Sequence, residues 1–337
     1  MSFSIHIDLR KIHHNVVKLK SFAGVNQCEL VGVTKGICGD ARVTMALMKG
    51  GIKKIADSRL QNIAHLKKQG TCAEFMLIRP PVESELAELL ELIDFSYHCE
   101  CQMINRLGYL TNQAAKKHRI MLLLDLATGR EGFAENEIDD AIKVAGSYSS
   151  LEIEGLAIYF GKKLPMVEYV KVQERLVRIA KKLREVHQLS LPTVSVGSSS
   201  AVGEAWRAGR VVQGITELRV GSAALLGIAS SNGPDYLEGL SHRSISLFAR
   251  LLSIRKKDHV TQLIVSVGHL DVDPHHLIPP AGITIIDAFS DHLLLHADPQ
   301  QITTFTKPIR FDLDYYGMSR IMQSPYATRV YEGEDYY

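Results

Sequence analysis

The chain has 337 residues, 46% of them hydrophobic and 23% charged, the composition of a globular protein with a large core rather than of a disordered one. A formal net charge of +2 without a long basic stripe argues against nucleic acid as a partner, and the pairs Lys53-Lys54 and Lys181-Lys182 read as solvated helix faces. No run reaches the ~18 apolar residues of a membrane span, the N-terminus lacks a signal peptide's apolar core, and an odd five cysteines in a long chain point to a reducing cytoplasm.

In chain order, a short strand over 4–8 and a helix over 9–22 come first. Apolar, β-rich runs follow at 30–35, 52–58, 74–79, 93–99, 119–126, 153–160, 191–197 and 215–220. Helical patterns separate them, at 83–91, 101–117, 135–146 and 166–188; in the last, Val167, Val170, Leu176, Ile179, Ala180 and Leu183 recur every three to four residues. Eight strands alternating with helices predict an α/β architecture built on a (β/α)8 barrel, an open doubly wound sheet being the other topology with this alternation. After Gly227 the texture changes. The turn-rich segment SSNGPD (230–235) is a linker, and 243–254, 260–267, 283–296 and 307–315 read as strands. The expected division is a barrel over 9–228 and a mostly β C-terminal domain over 235–337, with strand 3–8 joining its sheet.

In a parallel barrel the chemistry sits on the loops that follow the strands. Residues 30–40, LVGVTKGICGD, carry Lys35 to the mouth of a Gly-flanked turn. Burying an ammonium is costly, and desolvation lowers an amine's pKa and suits it to Schiff-base chemistry; a lysine that snorkels its head into water is the other reading. The fifth barrel strand runs into Asp125, Arg130, Gly132 and Phe133, and the sixth ends at Tyr159-Phe160. The seventh ends in Gly197-Ser198-Ser199-Ser200, and the eighth carries Arg219, then Gly221-Ser222. Serine-rich turns serve as helix caps or as phosphate cradles. Two on adjacent strands beside a lysine favour the cradle, because phosphate plus a Schiff-base lysine is what pyridoxal phosphate requires.

V-T-K-G at 33–36, R-E-G-F at 130–133 and L-R-V-G at 218–221 resemble the alanine racemase family, and within it the alanine/ornithine racemase subgroup. The likeness extends over the chain, including D-V-D-P (271–274) and S-D-H-L (290–293). It implies a pyridoxal 5'-phosphate enzyme, an amino-acid racemase, working as a homodimer with composite active sites. By position, Lys35 bonds the cofactor, Arg219 faces its pyridine nitrogen, and Arg130 approaches the phenolate and the substrate carboxylate; a surface ion pair of Arg130 with Glu131 or Glu135 is the other reading. Gly221, Ser222 and a serine of 198–200, Ser199 or Ser200, bind phosphate, and Tyr326 in S-P-Y-A-T-R-V-Y resembles a tyrosine that reaches it.

Three positions depart from that pattern. Gly39 stands where the family has a phosphate-binding tyrosine, and Tyr159 where a histidine covers the pyridine ring. In Gly268-His269-Leu270-Asp271, His269 replaces the tyrosine that serves as second base. His269 and Tyr159 are therefore the candidates to move a proton opposite Lys35. Asp271 and Asp273 are candidates to attract the distal ammonium of ornithine or lysine. With His275 and His276 they read as a polar turn around Pro274 rather than a metal site, and Cys99 with Cys101 as ordinary thiols. The favoured substrate is ornithine or another basic amino acid, with alanine as a further possibility. The rival functions are a non-catalytic pyridoxal-phosphate carrier, which lacks a large β domain, and a decarboxylase or metal-assisted aldolase on a related barrel.

Overall fold

The computed structural model describes residues 3–334 except 128, 162–163, 231–232, 258 and 299–306, so part of the SSNGPD linker lies outside the described residues. The first strand, β1 (Phe3–Asp8), alternates buried and half-buried positions, with Phe3, Ile5 and Ile7 inward. Asp8 stops it and caps the next helix, α1 (Leu9–Val25), accepting from the backbone N–H groups of Arg10 and Lys11.

All eight predicted barrel strands form: β2 (Glu29–Val33), β3 (Lys54–Asp57), β4 (Glu74–Leu77), β5 (Phe95–His98), β6 (His118–Leu124), β7 (Leu151–Tyr159), β8 (Thr193–Gly197) and β9 (Glu217–Val220). They pair in parallel in chain order, and β9 closes on β2, which settles the topology as a barrel rather than an open sheet. The helices after each strand are α2 (Ala41–Lys49), α3 (Leu60–Lys68), α4 (Leu86–Leu92), α5 (Cys101–Gln113), α6 (Ile138–Gly146), α7 (Met166–His187), α8 (Ser199–Ala208) and α9 (Ser222–Leu226). Such strands are covered on both faces, hence their mostly apolar character, broken by buried polar residues such as Lys54, Ser96, His98, Glu217 and Arg219. Val31, Val33, Met76, Phe95, Tyr97, Met121 and Leu123 pack inside the barrel, while the alternate side chains meet the helices. In α7 the buried stripe is Tyr169, Gln173, Leu176, Ile179, Ala180 and Leu183, whereas Val167 is 61% exposed, so the stripe begins a turn later than expected.

Lys54 is not on a solvated helix face. It is buried in β3, paired with Glu29 at 2.8 Å and with Glu217 at 3.4 Å. Burial alone would lower its pKa, but the carboxylates outweigh that and raise it.

Beyond the barrel lie two sheets. In the first, β1 is flanked by β10 (Ile245–Ala249), antiparallel, and β17 (Thr328–Glu332), parallel; β16 (Ile309–Leu313) and β13 (Leu277–Ile278) extend it past β10. The second is an antiparallel meander of β11 (Leu251–Lys257), β12 (Val260–Val265), β15 (Leu293–Ala297) and β14 (Ile283–Ala288). The N-terminal strand thus joins the C-terminal sheet, as expected. Two long predicted strands are each two: 243–254 divides at Arg250, where the chain changes sheet, and 283–296 turns back through 289–292. The reading of 307–315 as strand holds only to Leu313. Asp314 then caps a helix, α10 (Tyr315–Ile321), accepting from the backbone N–H of Gly317 at 2.9 Å. No helix among the described residues is long and apolar enough to cross a membrane.

Candidate active site

The C-terminal ends of the barrel strands surround a cavity of about 250 Å³. Lys35, Arg130, Tyr159, Ser199, Ser200, Arg219, Gly221 and Ser222, all proposed from sequence, line it together.

Lys35 starts a single 3-10 turn, Lys35–Ile37, directly after β2. Its amine lies 5.8 Å from the centre of the Tyr159 ring, and among the described residues no hydrogen bond or ion pair holds it. Burial lowers its pKa below the ordinary lysine range, and Arg130 and Arg219 push the same way against Asp57 and Glu131. Snorkelling would have produced a solvated amine of ordinary pKa. Here the lowered pKa favours the free amine that a nucleophile needs.

Arg219 is buried in β9. Its Nη1 donates to Ser195 Oγ, and its Nη2 donates to the Ile158 carbonyl at 2.6 Å. Ser195 Oγ donates in turn to Glu217 at 2.5 Å, and Glu217 is the carboxylate that Lys54 neutralises. The barrel floor therefore balances the arginine's charge without a carboxylate touching it. Glycine at 197 leaves room for the Arg219 guanidinium: a Cβ there would sit 2.8–3.0 Å from it.

Arg130 rides the loop after β6. Asp125 N–H donates to the Phe133 carbonyl (3.1 Å) and Phe133 N–H to the Leu123 carbonyl (2.8 Å), folding the R-E-G-F segment back onto the strand. Gly132 makes that possible. Its φ is +142°, and a Cβ would come within 2.3 Å of Asp125 N. Arg130 lies 4.4 Å from the centre of the Tyr159 ring and donates through Nε and Nη2 to both oxygens of Glu131.

Opposite, Ser199 Oγ accepts from the backbone N–H of Gly221 (3.2 Å) and of Ala223 (3.1 Å), tying the two serine turns together. Ser198 Oγ is used on the Phe160 carbonyl and does not cap α8. Ser198, Ser199 and Ser200 line the cavity, so the first turn of α8, whose N–H groups have no acceptor within their own helix, borders it as a ready anion site. A desolvated amine, a buried arginine and this anion cradle in one cavity fit the aldehyde, ring nitrogen and phosphate of pyridoxal phosphate.

Four residues proposed from sequence are not brought to the cavity within the protomer. Tyr326 is 80% exposed. His269 is exposed in the turn between β12 and β13, its N–H donating to the Phe289 carbonyl. Asp271 accepts from the Gly268 N–H at 3.3 Å, and burial raises its pKa. Asp273 caps a short turn, accepting from the His275 N–H, and that bond lowers its pKa. Beside it, His276 contacts Asp314 at 2.8 Å and packs on Tyr316, so D-V-D-P-H-H braces α10. Among the described residues no group of three His, Cys, Asp or Glu side chains could hold a metal ion.

The residues that sequence reading missed are Tyr315 and Tyr316, which α10 inserts into the cavity wall. Tyr315 packs on the lysine turn: a Cβ on Gly36 would lie 2.9 Å from its ring. Burial holds its phenol neutral by raising the pKa. A signal existed in the Asp314 cap followed by Met318, Ile321 and Met322 at helical spacing, all fully buried. Gly39, where the family has its tyrosine, has φ +63° and leaves 2.9 Å between a Cβ and the Asn62 carbonyl, so the backbone excludes a large side chain there.

A closed (β/α)8 barrel with a desolvated lysine on its first strand and serine turns on its last two defines a class of cofactor-binding barrel with appended β sheets. The family model for the alanine racemase N-terminal domain matches residues 7–228, and the chain belongs to that family. It is 27% identical to a lysine racemase of Thermotoga maritima, with 97% of each protein covered. It is also 27% identical to an ornithine racemase of Acetoanaerobium sticklandii, over 86% of this chain and 88% of that one. The alanine racemase of Streptomyces lavendulae superposes with a TM-score of 0.81 at 16% identity, covering 99% of this chain and 97% of the other, which shows the shared fold.

Proposed function

We propose that this chain is a pyridoxal-phosphate-dependent amino-acid racemase whose preferred substrate is a basic amino acid. The observation that carries the reading is the Lys35 amine, desolvated and without an anionic partner, facing an anion cradle across one cavity. The names of the lysine and ornithine racemases to which the chain is similar support the substrate class. Bound at this site, pyridoxal phosphate supplies an electron sink that makes the substrate Cα proton acidic. Ser199, Ser200, Gly221, Ser222 and the first turn of α8 hold the phosphate. Arg219 would face the ring nitrogen and, being unable to give up its proton readily, would leave that nitrogen unprotonated and the sink weak. A weak sink suppresses side reactions that need a long-lived carbanion. Lys35 would hold or deliver the Cα proton on one face.

The opposite face needs a second carrier. Tyr159 stands on the cavity wall, and His269 reaches it only if a second copy of the chain presents its C-terminal sheets. Leu252, Leu270, Ile286 and Phe289, all on those sheets and turns, are exposed apolar side chains that such a homodimer would have to cover. His269 from the second copy is the carrier we favour, with Tyr159 stacking beside the ring. The five cysteines, all unpaired, agree with a cytoplasmic setting.

Incubation with single-enantiomer ornithine, lysine, arginine, alanine and serine in deuterated water tests the reading. The expected result is the opposite enantiomer of a diamino acid carrying Cα deuterium. Exchange with retained configuration would remove the second carrier. No exchange with any amino acid, despite bound cofactor, would favour the carrier function.

A further inference from the structure

Glu131 is the only carboxylate lining the cavity among the described residues, against three cations: Lys35, Arg130 and Arg219. Both its oxygens are taken by Arg130, and its side chain is only 26% exposed. The Arg130 side chain is 55% exposed, so the pair sits at the cavity mouth, on a loop whose backbone is fixed by Gly132 and by its bonds to β6.

A substrate must bring an α-carboxylate into this cavity. Arg219 is committed to Ser195 and the Ile158 carbonyl, and Lys35 is committed to the amine chemistry, which leaves Arg130 to receive it. If the substrate carboxylate displaces Glu131, that carboxylate loses its partner in a partly desolvated place, at a cost. If it shares Arg130 instead, two anions face one cation. A side chain ending in an ammonium cancels the excess in either arrangement, and a neutral side chain cancels it in neither. We propose that Glu131 recognises the distal ammonium of a diamino-acid substrate by exchanging partners with Arg130. Selectivity then arises from an ion pair already present in the free site, and it rests on the racemase reading above. The carboxylates expected from sequence to do this, Asp271 and Asp273, lie outside the protomer's own cavity.

The experiment compares kcat/KM for ornithine, lysine, Nδ-acetylornithine and alanine in the wild-type holoenzyme and in Glu131→Gln, Glu131→Asp and Asp271→Asn. Glu131→Gln is expected to lower the ornithine-to-alanine ratio at least tenfold, mainly through the ornithine KM. It is also expected to abolish the preference for ornithine over its acetylated form, with Glu131→Asp intermediate. Visible absorbance of the bound cofactor reports whether each variant is folded and loaded, and its change on titration with ornithine gives affinity where turnover is lost. A wild type that racemises diamino acids while Glu131→Gln leaves both ratios within twofold overturns this inference alone, as does a loss of selectivity confined to Asp271→Asn. A wild type that racemises no amino acid overturns the parent reading and this one with it.

Discussion

At the scale of single residues, the site depends on electrostatic contrasts that a substitution changes sharply. A lowered lysine pKa means more free amine at neutral pH, so Lys35 in the cofactor-free protein should react with a small aldehyde plus borohydride ahead of the exposed lysines. Peptide mapping after brief labelling at pH 7.5 reads this directly, and labelling spread evenly over the lysines would contradict it. Gly197→Ala should act through Arg219, because the new methyl meets the guanidinium at 2.8–3.0 Å. Overpacking of this kind costs about 1–3 kcal/mol. The expected outcome is a folded protein with weakened cofactor binding, measured by equilibrium titration of the cofactor's absorbance. The lysine and Arg219 were legible in the sequence because each terminates or occupies an apolar strand at a place where charge is expensive. Glu131 was legible as an ion-pair partner of Arg130, but not as the one carboxylate on the cavity wall among the described residues, since that depends on what the other strands supply.

Among the elements, α10 shows what chain patterning loses. A short helix after a strand, opened by one aspartate, carries little periodic signal, yet it builds one wall of the site. Asp314 caps it and meets His276, so Asp314→Ala should cost about 1–2 kcal/mol through the lost cap, read as a lower Tm, and should also raise KM as Tyr315 and Tyr316 loosen. Beneath the barrel's helices, Ser96 Oγ is shared by His98 and His118, at 2.8 Å from each. Burial pushes His98 down to about 3 and His118 down to about 4. Unfolded, each takes a proton near pH ~6.5. Below that pH the unfolded chain holds the extra protons, so this contribution to stability is complete above ~6.5 and is lost as pH falls, by up to ~1.4 kcal/mol per unit per histidine. Urea midpoints at pH 7.5, 6.5 and 5.5 should fall accordingly, and His98→Leu should flatten the slope. A wild-type midpoint unchanged between 7.5 and 5.5 would refute the account.

For the whole molecule, the open matter is how the second face of the substrate is served. If His269 comes from a second copy, Lys35→Ala and His269→Ala are each inactive alone, yet mixed subunits regain roughly a quarter of wild-type activity through random pairing in a twofold dimer. Refolding the two together and assaying racemisation checks this; no recovery would place the second carrier within the protomer and favour Tyr159. The barrel was legible because its strands are buried on both faces along most of their length and its longer helices on one, so hydrophobic period encodes the alternation. Lys35, the serine turns and Arg219 followed, since in a parallel barrel the end of each strand points to one rim. What only the tertiary structure decided is non-local. β9 closes on β2, Lys54 meets two carboxylates beneath the site, and Tyr315 packs on the lysine turn. Each is a contact between segments whose local patterns are silent about one another, and only the packed chain brings them within reach.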